Sequence, residues 1–152
     1  MARIEVTTHV EADPARVWDV LVDWEGQPRW MADARRVQVR SPRREGIGVV
    51  VRCRTHIAGG VVVNDDMAVT EWIPQRRLGV RHLGRIIRGV GAFELSPTAY
   101  GTRLVWWEEV EAPLGPVGEI VTAALVVPWV QRTFRRSLAG LKRVCEATSV
   151  RP

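Results

Sequence analysis

The sequence predicts an α+β fold, in which a seven-stranded antiparallel sheet curls around a long C-terminal helix and two short helices follow the first strand. Three features predict it: an alternating strand that leads into a capped helix, a middle region (residues 35–111) patterned as strands, and a helical pattern over about 116–148. No other segment is long enough to cover the apolar face of such a sheet, so the sheet must wrap around the last helix. A sheet curled around one helix tends to leave a hollow, and hollows hold ligands.

The first strand and the first helix carry the clearest local signals. Along residues 3–11 the apolar side chains alternate, with Ile4 and Val6 on one face. Asp13 suits the N-cap of the helix that follows, and Pro14 suits its first position, where a missing N–H costs nothing. This helix is expected to be short, and a second short helix or turn is expected before the sheet resumes.

The middle region has a period of two, which predicts six further strands. They are expected over residues 36–40, 47–57, 61–73, 78–82, 89–95 and 103–111. The connections are short, and Gly59-Gly60 suits a tight hairpin turn, so the strands should form an antiparallel meander. Within the fourth strand, the alternation places Val69 and Ile73 on the same face.

Four strand residues are predicted to line the hollow, because their phase points them toward the last helix. They are Met67, Val69, Phe93 and Trp106. All four are apolar and two are aromatic, so the wall that they form suits a hydrophobic or amphipathic molecule.

The last helix has two halves of different character. Its second half is amphipathic and carries one apolar stripe, Val130, Phe134, Leu138, Leu141 and Cys145. Its first half is apolar on nearly every side, so an apolar neighbour is expected on each side: the sheet on one, and a ligand, a loop or a partner chain on the other. Pro128 cannot donate to the carbonyl of Ala124, which predicts a kink there.

Four side chains of the first half are expected to contact the ligand. They are Ile120, Val121, Ala124 and Leu125.

Composition favours one globular domain over residues 1–152, with a formal net charge of +5. All basic residues but Lys142 are arginines, and they are spread along the chain among acidic residues such as Glu108 and Glu109. A nucleic-acid-binding protein usually concentrates its basic residues in a stripe, so no nucleic-acid partner is expected. A basic surface still suits an acidic carrier protein or an anionic ligand as an alternative partner.

The N-terminal pattern, the apolar runs and the cysteines bear on cellular location and cofactors. The start of the chain is already an alternating strand rather than a signal sequence, and the longest apolar run, 117–130, is shorter than the ~20 residues that cross a bilayer. Cys53 and Cys145 are the only cysteines, too few for a metal site or a disulfide framework, so neither is expected and a cytoplasmic location is predicted. No nucleotide or dinucleotide fingerprint occurs, and no cofactor is expected.

The order of elements resembles the START / polyketide-cyclase (SRPBCC) superfamily, which has the helix-grip fold. Three pieces carry the resemblance: residues 4–23 with Pro28-Arg29-Trp30, residues 69–78, and residues 101–106. The first piece resembles that family's opening strand and paired helices, and the other two resemble a mid-chain strand end and the entry to the last strand. The resemblance implies the fold and a cavity, but its members include lipid carriers and polyketide cyclases, so it does not choose an activity.

The polar residues whose phase points them inward are His82 and Glu108, with Asp65 or Glu71 as further candidates. A histidine and a carboxylate in an apolar cavity can act as general base and acid, and cyclisation of a polyketide needs a proton removed beside a carbonyl. The alternative is that both residues lie at the cavity mouth or form structural ion pairs. A slip of one residue in register would reverse every assignment.

Two function classes therefore remain. One is a binding module that holds a polyketide, an isoprenoid or a lipid-like molecule; the other is a polyketide cyclase/dehydrase that uses His82 and Glu108. Trp30 lies where the fold closes its cavity, and serves either as a gate or as packing. Trp107 is expected to point outward, where it either lies in a homodimer interface or is an isolated surface tryptophan.

Overall fold

The computed structural model describes residues 2–111 and 115–147, and confirms the predicted α+β fold. Its strands are β1 (Ala2–Val10), β2 (Ala34–Val39), β3 (Val50–His56), β4 (Val62–Ile73), β5 (Arg77–Leu83), β6 (Arg88–Thr98) and β7 (Gly101–Val110). Its helices are α1 (Pro14–Val22), a 3₁₀ helix (Trp24–Arg29), α2 (Gly115–Val121), a π-helical turn (Thr122–Val126) and α3 (Val127–Glu146).

The seven strands form one antiparallel sheet in the order β1-β7-β6-β5-β4-β3-β2. Strands β2 to β7 are a meander, and β1 closes the order by pairing with β7. The hairpin between β3 and β4 turns at Gly59 and Gly60, whose φ angles are 80° and 78°. Glycine adopts this left-handed region without steric cost, so the pair permits the tight turn that the sequence predicts.

Helix α1 begins as its sequence predicts. The Asp13 side chain accepts a hydrogen bond from the Arg16 amide at 2.9 Å, and Pro14 occupies the first turn. The buried face of α1 carries Val17, Trp18, Val20 and Leu21, so the helix packs against the core through one stripe.

A β-bulge in β4 changes which side chains face the core. Val69 pairs with Val80, but Glu71 pairs with Gly79, so one extra residue lies in β4 between these two pairs. The bulge reverses the alternation that follows it. Trp72 therefore turns inward, with its ring centroid 5.1 Å from that of Trp18, whereas Ile73 is exposed. The prediction that Ile73 shares the face of Val69 was wrong for this reason.

Helix α3 packs on the sheet through the apolar stripe that its sequence predicts. Phe134, Leu138, Leu141 and Cys145 are buried. The Phe134 ring stacks on Trp106 with centroids 3.6 Å apart and planes 5° from parallel. At Gly140 the helix approaches the chain so closely that a Cβ would lie 2.7 Å from the Trp30 carbonyl oxygen.

The break in the C-terminal helix takes the form of a π-helical turn. It spans Thr122–Val126, immediately before Pro128. Because proline has no N–H, the carbonyl of Ala124 cannot receive its usual helical bond, and a local change of hydrogen-bond pattern accommodates the loss. The helix expected over about 116–148, with a kink at Pro128, is two helices joined by this turn. Residues 148–152 lie outside the described part.

The first part of this helical region extends past the sheet. Lys142 Nζ donates to the carbonyl of His9 at the far end of β1, and Phe134 lies at the level of Trp106. A helix advances about 1.5 Å per residue and a strand about 3.3 Å, so two residues along β7 span about as far as four residues along α3. Counting from the pair Trp106 and Phe134, Glu108 therefore lies at about the level of Val130. Residues 115–126, called here the apolar segment, extend beyond that level and contact mainly each other and α3.

In the described residues, no helix combines the length and apolarity needed to cross a membrane.

Candidate functional site

Three titratable side chains from three strands meet on the inner face of the sheet, which is the face that α3 covers. His82 on β5 lies between Asp65 on β4 and Glu108 on β7. Its Nδ1 atom is 3.0 Å from Asp65 Oδ1 and 2.9 Å from Asp65 Oδ2. Its Nε2 atom is 3.5 Å from Glu108 Oε2, beyond a well-formed hydrogen bond.

A glycine in β6 makes this meeting possible. Strand β6 separates β5 from β7, and Gly91 is the β6 residue that pairs with Glu108. A Cβ at Gly91 would lie 2.7 Å from Glu108 Cγ. The absence of a side chain there leaves room for the Glu108 side chain to extend across β6 toward His82.

A fourth titratable residue, Asp33, belongs to the same cluster. It precedes β2, and its Oδ1 atom is buried without a hydrogen-bond partner among the described residues. Burial raises the pKa of Asp33 to about 6, with the negative charges of Glu108 and Asp65 acting in the same direction. The sequence prediction missed Asp33, because it lies in a junction without periodicity. We call Asp33, Asp65, His82 and Glu108 the inner polar cluster.

The imidazole of His82 is held in its charged form. Burial alone would lower its pKa, but the hydrogen bond to Asp65 and the interaction with Glu108 outweigh burial and raise the pKa to about 10. Burial also raises the pKa of Asp65, which favours a neutral pair. Two carboxylates flank the one imidazole, so we assign His82 as imidazolium at neutral pH, with the carboxylates as its counter-ions.

Aromatic rings lie beside this cluster. The rings of Trp30, Phe93, Trp106 and Phe134 contact one another in series, with centroid distances of 6.1, 4.8 and 3.6 Å. Trp106 lies two residues from Glu108 on the same face of β7, so the aromatic row leads to the polar residues. The Trp30 indole N–H is buried and has no hydrogen-bond partner among the described residues.

The structure places the predicted site residues in two groups. The first is gathered on the inner face: His82, Glu108, Trp30, Val69, Phe93 and Trp106, with Met67 half-buried beside them. Asp65 joins this group, whereas Glu71 faces the opposite side and forms an ion pair with Arg77.

The second group lies on the apolar segment and does not pack against the sheet. Ile120 and Leu125 are 70% and 69% exposed, and Val121 and Ala124 are also exposed. The expectation that the sheet lies on one side of this segment differs from the structure, because the segment extends past the end of β7. Their role as ligand contacts stays a prediction.

Trp107 is held on the outer face by two arginines. The guanidinium carbon of Arg3 lies 4.4 Å from its ring centroid, and that of Arg77 lies 5.8 Å away. Such cation–π contacts stabilise a surface tryptophan without a partner chain.

A groove of about 460 Å³ opens at the hairpin between β5 and β6, and His82 is among its lining residues. Its rim is basic, since Arg81, Arg85 and Arg88 line it together with Glu111.

Across residues 2–111 and 115–147, no three histidine, cysteine or acidic side chains are arranged to hold a metal ion.

Relatives and solved structures resemble the chain over nearly its whole length. An uncharacterized protein of Mycobacterium tuberculosis is 28% identical, over 93% of this chain and 83% of that protein. The crystal structure of TTHA0849 from Thermus thermophilus superposes with a TM-score of 0.83 at 23% identity, covering 98% of this chain and 100% of that one.

Two further structures share the fold. The Zhui aromatase/cyclase from a Streptomyces species has a TM-score of 0.78 at 22% identity, with 98% and 96% of the two chains covered. The Aha1 dimer of Colwellia psychrerythraea has a TM-score of 0.70 at 16% identity, with 96% and 97% covered. At these identities the likeness concerns the fold alone.

The family model described as "Polyketide cyclase / dehydrase and lipid transport" matches residues 1–146. Together with the helix-grip architecture, this match shows that the chain belongs to the polyketide cyclase / dehydrase and lipid transport family.

Proposed function

We propose that the protein binds a hydrophobic or amphipathic small molecule, such as a polyketide, an isoprenoid or a lipid-like chain. The polar end of the molecule meets the inner polar cluster, and its apolar part lies between the aromatic row and the apolar segment. The observation that carries this proposal is a cluster of four buried and half-buried titratable side chains on the inner face of the sheet. Two of its buried polar atoms, His82 Nε2 and Asp33 Oδ1, have no hydrogen-bond partner among the described residues, and the nearest carboxylate oxygen to His82 Nε2 is that of Glu108 at 3.5 Å.

The unpartnered atoms favour a ligand over a purely structural cluster. A buried polar atom without a hydrogen bond costs roughly 1–3 kcal/mol, so structural cores rarely keep several together. Strongly perturbed titratable groups gather at functional sites for the same reason. Asp33 and His82 combine both features in one place.

The apolar segment supplies the second support. Its exposed side chains include Val117, Ile120, Val121, Leu125 and Val126. Contiguous exposed apolar surface marks a ligand groove or an interface. A molecule held between this segment and the sheet end would cover these side chains, and the π-helical turn gives the segment a point about which it can close.

Saturable binding of 1-decanol, followed by tryptophan fluorescence and calorimetry, tests the proposal. We expect quenching, because Trp30 and Trp106 line the site. The double substitution Ile120→Ser with Leu125→Ser should weaken binding at least fivefold and leave the melting temperature within a few degrees, since both side chains are exposed. Tyr100→Ser, at an 85% exposed position in the β6–β7 turn, is the matched control and should bind normally.

Native mass spectrometry of the protein purified from its source adds an independent reading, and should detect a bound small molecule. Absence of both a co-purified molecule and saturable quenching would contradict the proposal.

A second candidate is a polyketide cyclase/dehydrase, and one observation favours it. Asp33, with a pKa of about 6, could accept a proton near neutral pH, while the His82 imidazolium could stabilise an enolate. The same pKa of His82 argues against its use as a general base. An acidic carrier protein would then deliver the chain to the basic rim of the groove. Unchanged turnover of a poly-β-keto thioester by His82→Ala and Glu108→Gln would exclude these roles.

Binding fits the geometry better than catalysis does. The carboxylates of Asp65 and Glu108 are already engaged by His82, so one carboxylate, that of Asp33, remains for proton transfer. A binding site needs only complementary charge and shape, which the inner polar cluster and the aromatic row provide.

A further inference from the structure

The hairpin between β5 and β6 exposes aliphatic side chains among basic ones. Residues 81–90 contain three arginines and no carboxylate, and all three arginines are exposed. Leu83 and Ile86, which lie among them, are 52% and 71% exposed. Turns usually carry glycine, proline, asparagine, aspartate or serine. Large aliphatic side chains in an arginine-rich turn therefore indicate a partner outside the chain.

The apolar segment begins at the same end of the sheet as this hairpin. The Glu111 amide, just after β7, donates to the carbonyl of Arg88 at 3.1 Å. Gly115, the first residue of the apolar segment, follows four residues after Glu111, so the two lie within about 14 Å of each other. The β3–β4 hairpin also turns at this end, because β4 and β5 are antiparallel.

Most of the large apolar side chains that the described part of the chain exposes therefore gather at one end. Besides Leu83 and Ile86, they include Val61, Val117, Ile120 and Leu125. Single apolar residues scattered over a protein surface are normal, whereas such a concentration marks an interaction site.

We propose that this end of the protein binds the surface of an anionic lipid bilayer. The surface concerned, called here the docking surface, comprises residues 81–88 and the apolar segment. Its aliphatic side chains enter the boundary between head groups and acyl chains, and its arginines contact the lipid phosphates. Peripheral proteins bind bilayers through this combination of buried apolar area and attraction to anionic lipids. The proposal goes beyond ligand binding and does not depend on it.

The charges around the exposed aliphatic side chains fit anionic head groups. Residues 81–90 and 115–132 together contain four arginines and one carboxylate, that of Glu119. The neighbouring carboxylate of Glu111 lies 3.3 Å from Arg88 and offsets part of the positive charge. An excess of positive charge remains, and an anionic bilayer attracts it over about a Debye length, roughly 8–10 Å.

A second copy of the chain fits the docking surface less well than a bilayer does. In a dimer with twofold symmetry the same patch meets itself, so the arginines of one copy would face those of the other. Such like charges repel each other. The exposed aliphatic side chains also stand on separate elements, a hairpin and a helical segment. A fluid lipid surface accepts them without the complementary shape that a protein interface requires.

A ligand beneath the apolar segment leaves room for this second contact. The described side chains of residues 119–121 and 123–126 are all exposed, so a ligand on one side of the segment leaves the other side uncovered. Ile86 lies outside the proposed ligand contacts altogether. Substitutions in the hairpin therefore test docking separately from ligand binding.

Co-sedimentation of the full chain with phosphatidylcholine vesicles, with and without about one-third phosphatidylserine, tests the proposal. We expect the partition coefficient to be at least tenfold higher with phosphatidylserine. It should fall when the salt concentration is raised from about 0.1 M to about 1 M, because salt screens the attraction.

Two double substitutions separate the apolar and the charged contributions. Leu83→Ser with Ile86→Ser should lower partitioning into the phosphatidylserine vesicles at least fivefold, and so should Arg81→Gln with Arg85→Gln. All four side chains are exposed, so the thermal melting temperature should stay within a few degrees of the unsubstituted protein.

Matched controls lie at the opposite end of the sheet. Ile73→Ser with Tyr100→Ser removes two apolar side chains, 49% and 85% exposed, beside the β4–β5 turn and in the β6–β7 turn. Arg76→Gln with Arg103→Gln removes two exposed arginines, and so changes the net charge by the same amount as the hairpin pair. Both controls should leave partitioning within twofold.

Equal partitioning with and without phosphatidylserine would overturn the proposal, and so would equal losses in the hairpin variants and their controls. Absence of vesicle binding together with saturable binding of 1-decanol would overturn docking and leave the binding function intact. Self-association of the free chain in analytical ultracentrifugation, without vesicle binding, would show that a second copy covers this surface instead. Vesicle binding without 1-decanol binding would support docking and contradict the binding function alone.

Discussion

The Nδ1 atom of His82 lies 2.9 Å from Oδ2 of Asp65, across the antiparallel pair that β4 and β5 form. Both side chains are buried, and this contact fixes the imidazole so that its other nitrogen points toward Glu108. The relationship depends on register, since a shift of one residue would place His82 on the outer face. The charge state of His82 therefore depends on the register in which β4 and β5 pair.

This coupling predicts a pH dependence of stability. The pKa of His82 is about 10 in the folded protein, against 6.5 for an unperturbed histidine. The stabilisation from the raised pKa is fully present below about pH 6.5 and is lost as the pH rises toward 10. We expect the free energy of unfolding in urea to fall by a few kcal/mol over this window, roughly 1.4 kcal/mol per pKa unit at most.

A histidine outside the cluster provides the control. His9 is exposed and bonds to Thr98, so His9→Gln should leave the fall in stability unchanged. His82→Gln should abolish it, at the cost of lower stability at pH 6.5 because Asp65 and Glu108 lose their counter-ion. A fall of the same size in His82→Gln would contradict the assignment.

Asp33→Asn should stabilise the protein at neutral pH. The pKa of Asp33 is about 6 when folded and 3.8 in its ordinary state, so its ionisation opposes folding at higher pH. Asparagine removes this cost, and we expect a gain of up to about 3 kcal/mol above pH 6. The gain should disappear below about pH 4, where aspartate is protonated in both states. Urea unfolding at pH 4 and pH 7.5 measures both values.

A loss of stability in Asp33→Asn at pH 7.5 would show instead that the carboxylate makes a stabilising contact. Asp66→Asn is the control, and should lower stability only slightly because its ion pair with Arg52 is partly exposed.

The two halves of the C-terminal helical region should respond differently to truncation. Phe134 is 4% exposed and stacks on Trp106, so Phe134→Ala should cost about 3–5 kcal/mol. Leu125 is 69% exposed, so Leu125→Ala should change stability by less than about 0.5 kcal/mol. Chemical denaturation of both variants tests whether the apolar segment contributes to the core, and a large loss in Leu125→Ala would show that it does.

Gly140→Ala should destabilise the protein, against the usual trend. Inside a helix this change normally gains roughly 0.5–1 kcal/mol. Here the added Cβ would lie 2.7 Å from the Trp30 carbonyl oxygen, so the helix or the backbone at Trp30 must move. We expect a net loss of about 1–3 kcal/mol in thermal or urea unfolding. A gain in stability would mean that α3 is not tightly packed against this part of the chain.

The period-two pattern predicted much of the site because it fixes which strand residues share a face. His82 and Glu108 follow from alternation with Leu78 and Trp106, and the structure places them on the inner face. The same logic failed after Val69, where the bulge reversed the alternation. A bulge adds one backbone residue without a reliable sequence signature, so Trp72 and Ile73 exchanged faces.

Asp33 and the apolar segment could not be predicted for a different reason. Asp33 lies outside any periodic element, and its burial depends on contacts with distant strands. The apolar segment has the composition of a buried helix, but its position follows from the relative lengths of α3 and β7. Local pattern indicates what a segment prefers to contact, whereas its actual neighbours depend on the whole fold.

Hydrogen exchange on the apolar segment tests the central claim most directly. If residues 115–126 cover a ligand, their amides should exchange faster than those of residues 134–145 in the free protein, and should slow at least fivefold when 1-decanol is saturating. Exchange in residues 134–145 should not change, because α3 is already packed on the sheet. Uniformly strong protection across both stretches in the free protein, or no slowing at saturation, would contradict the account.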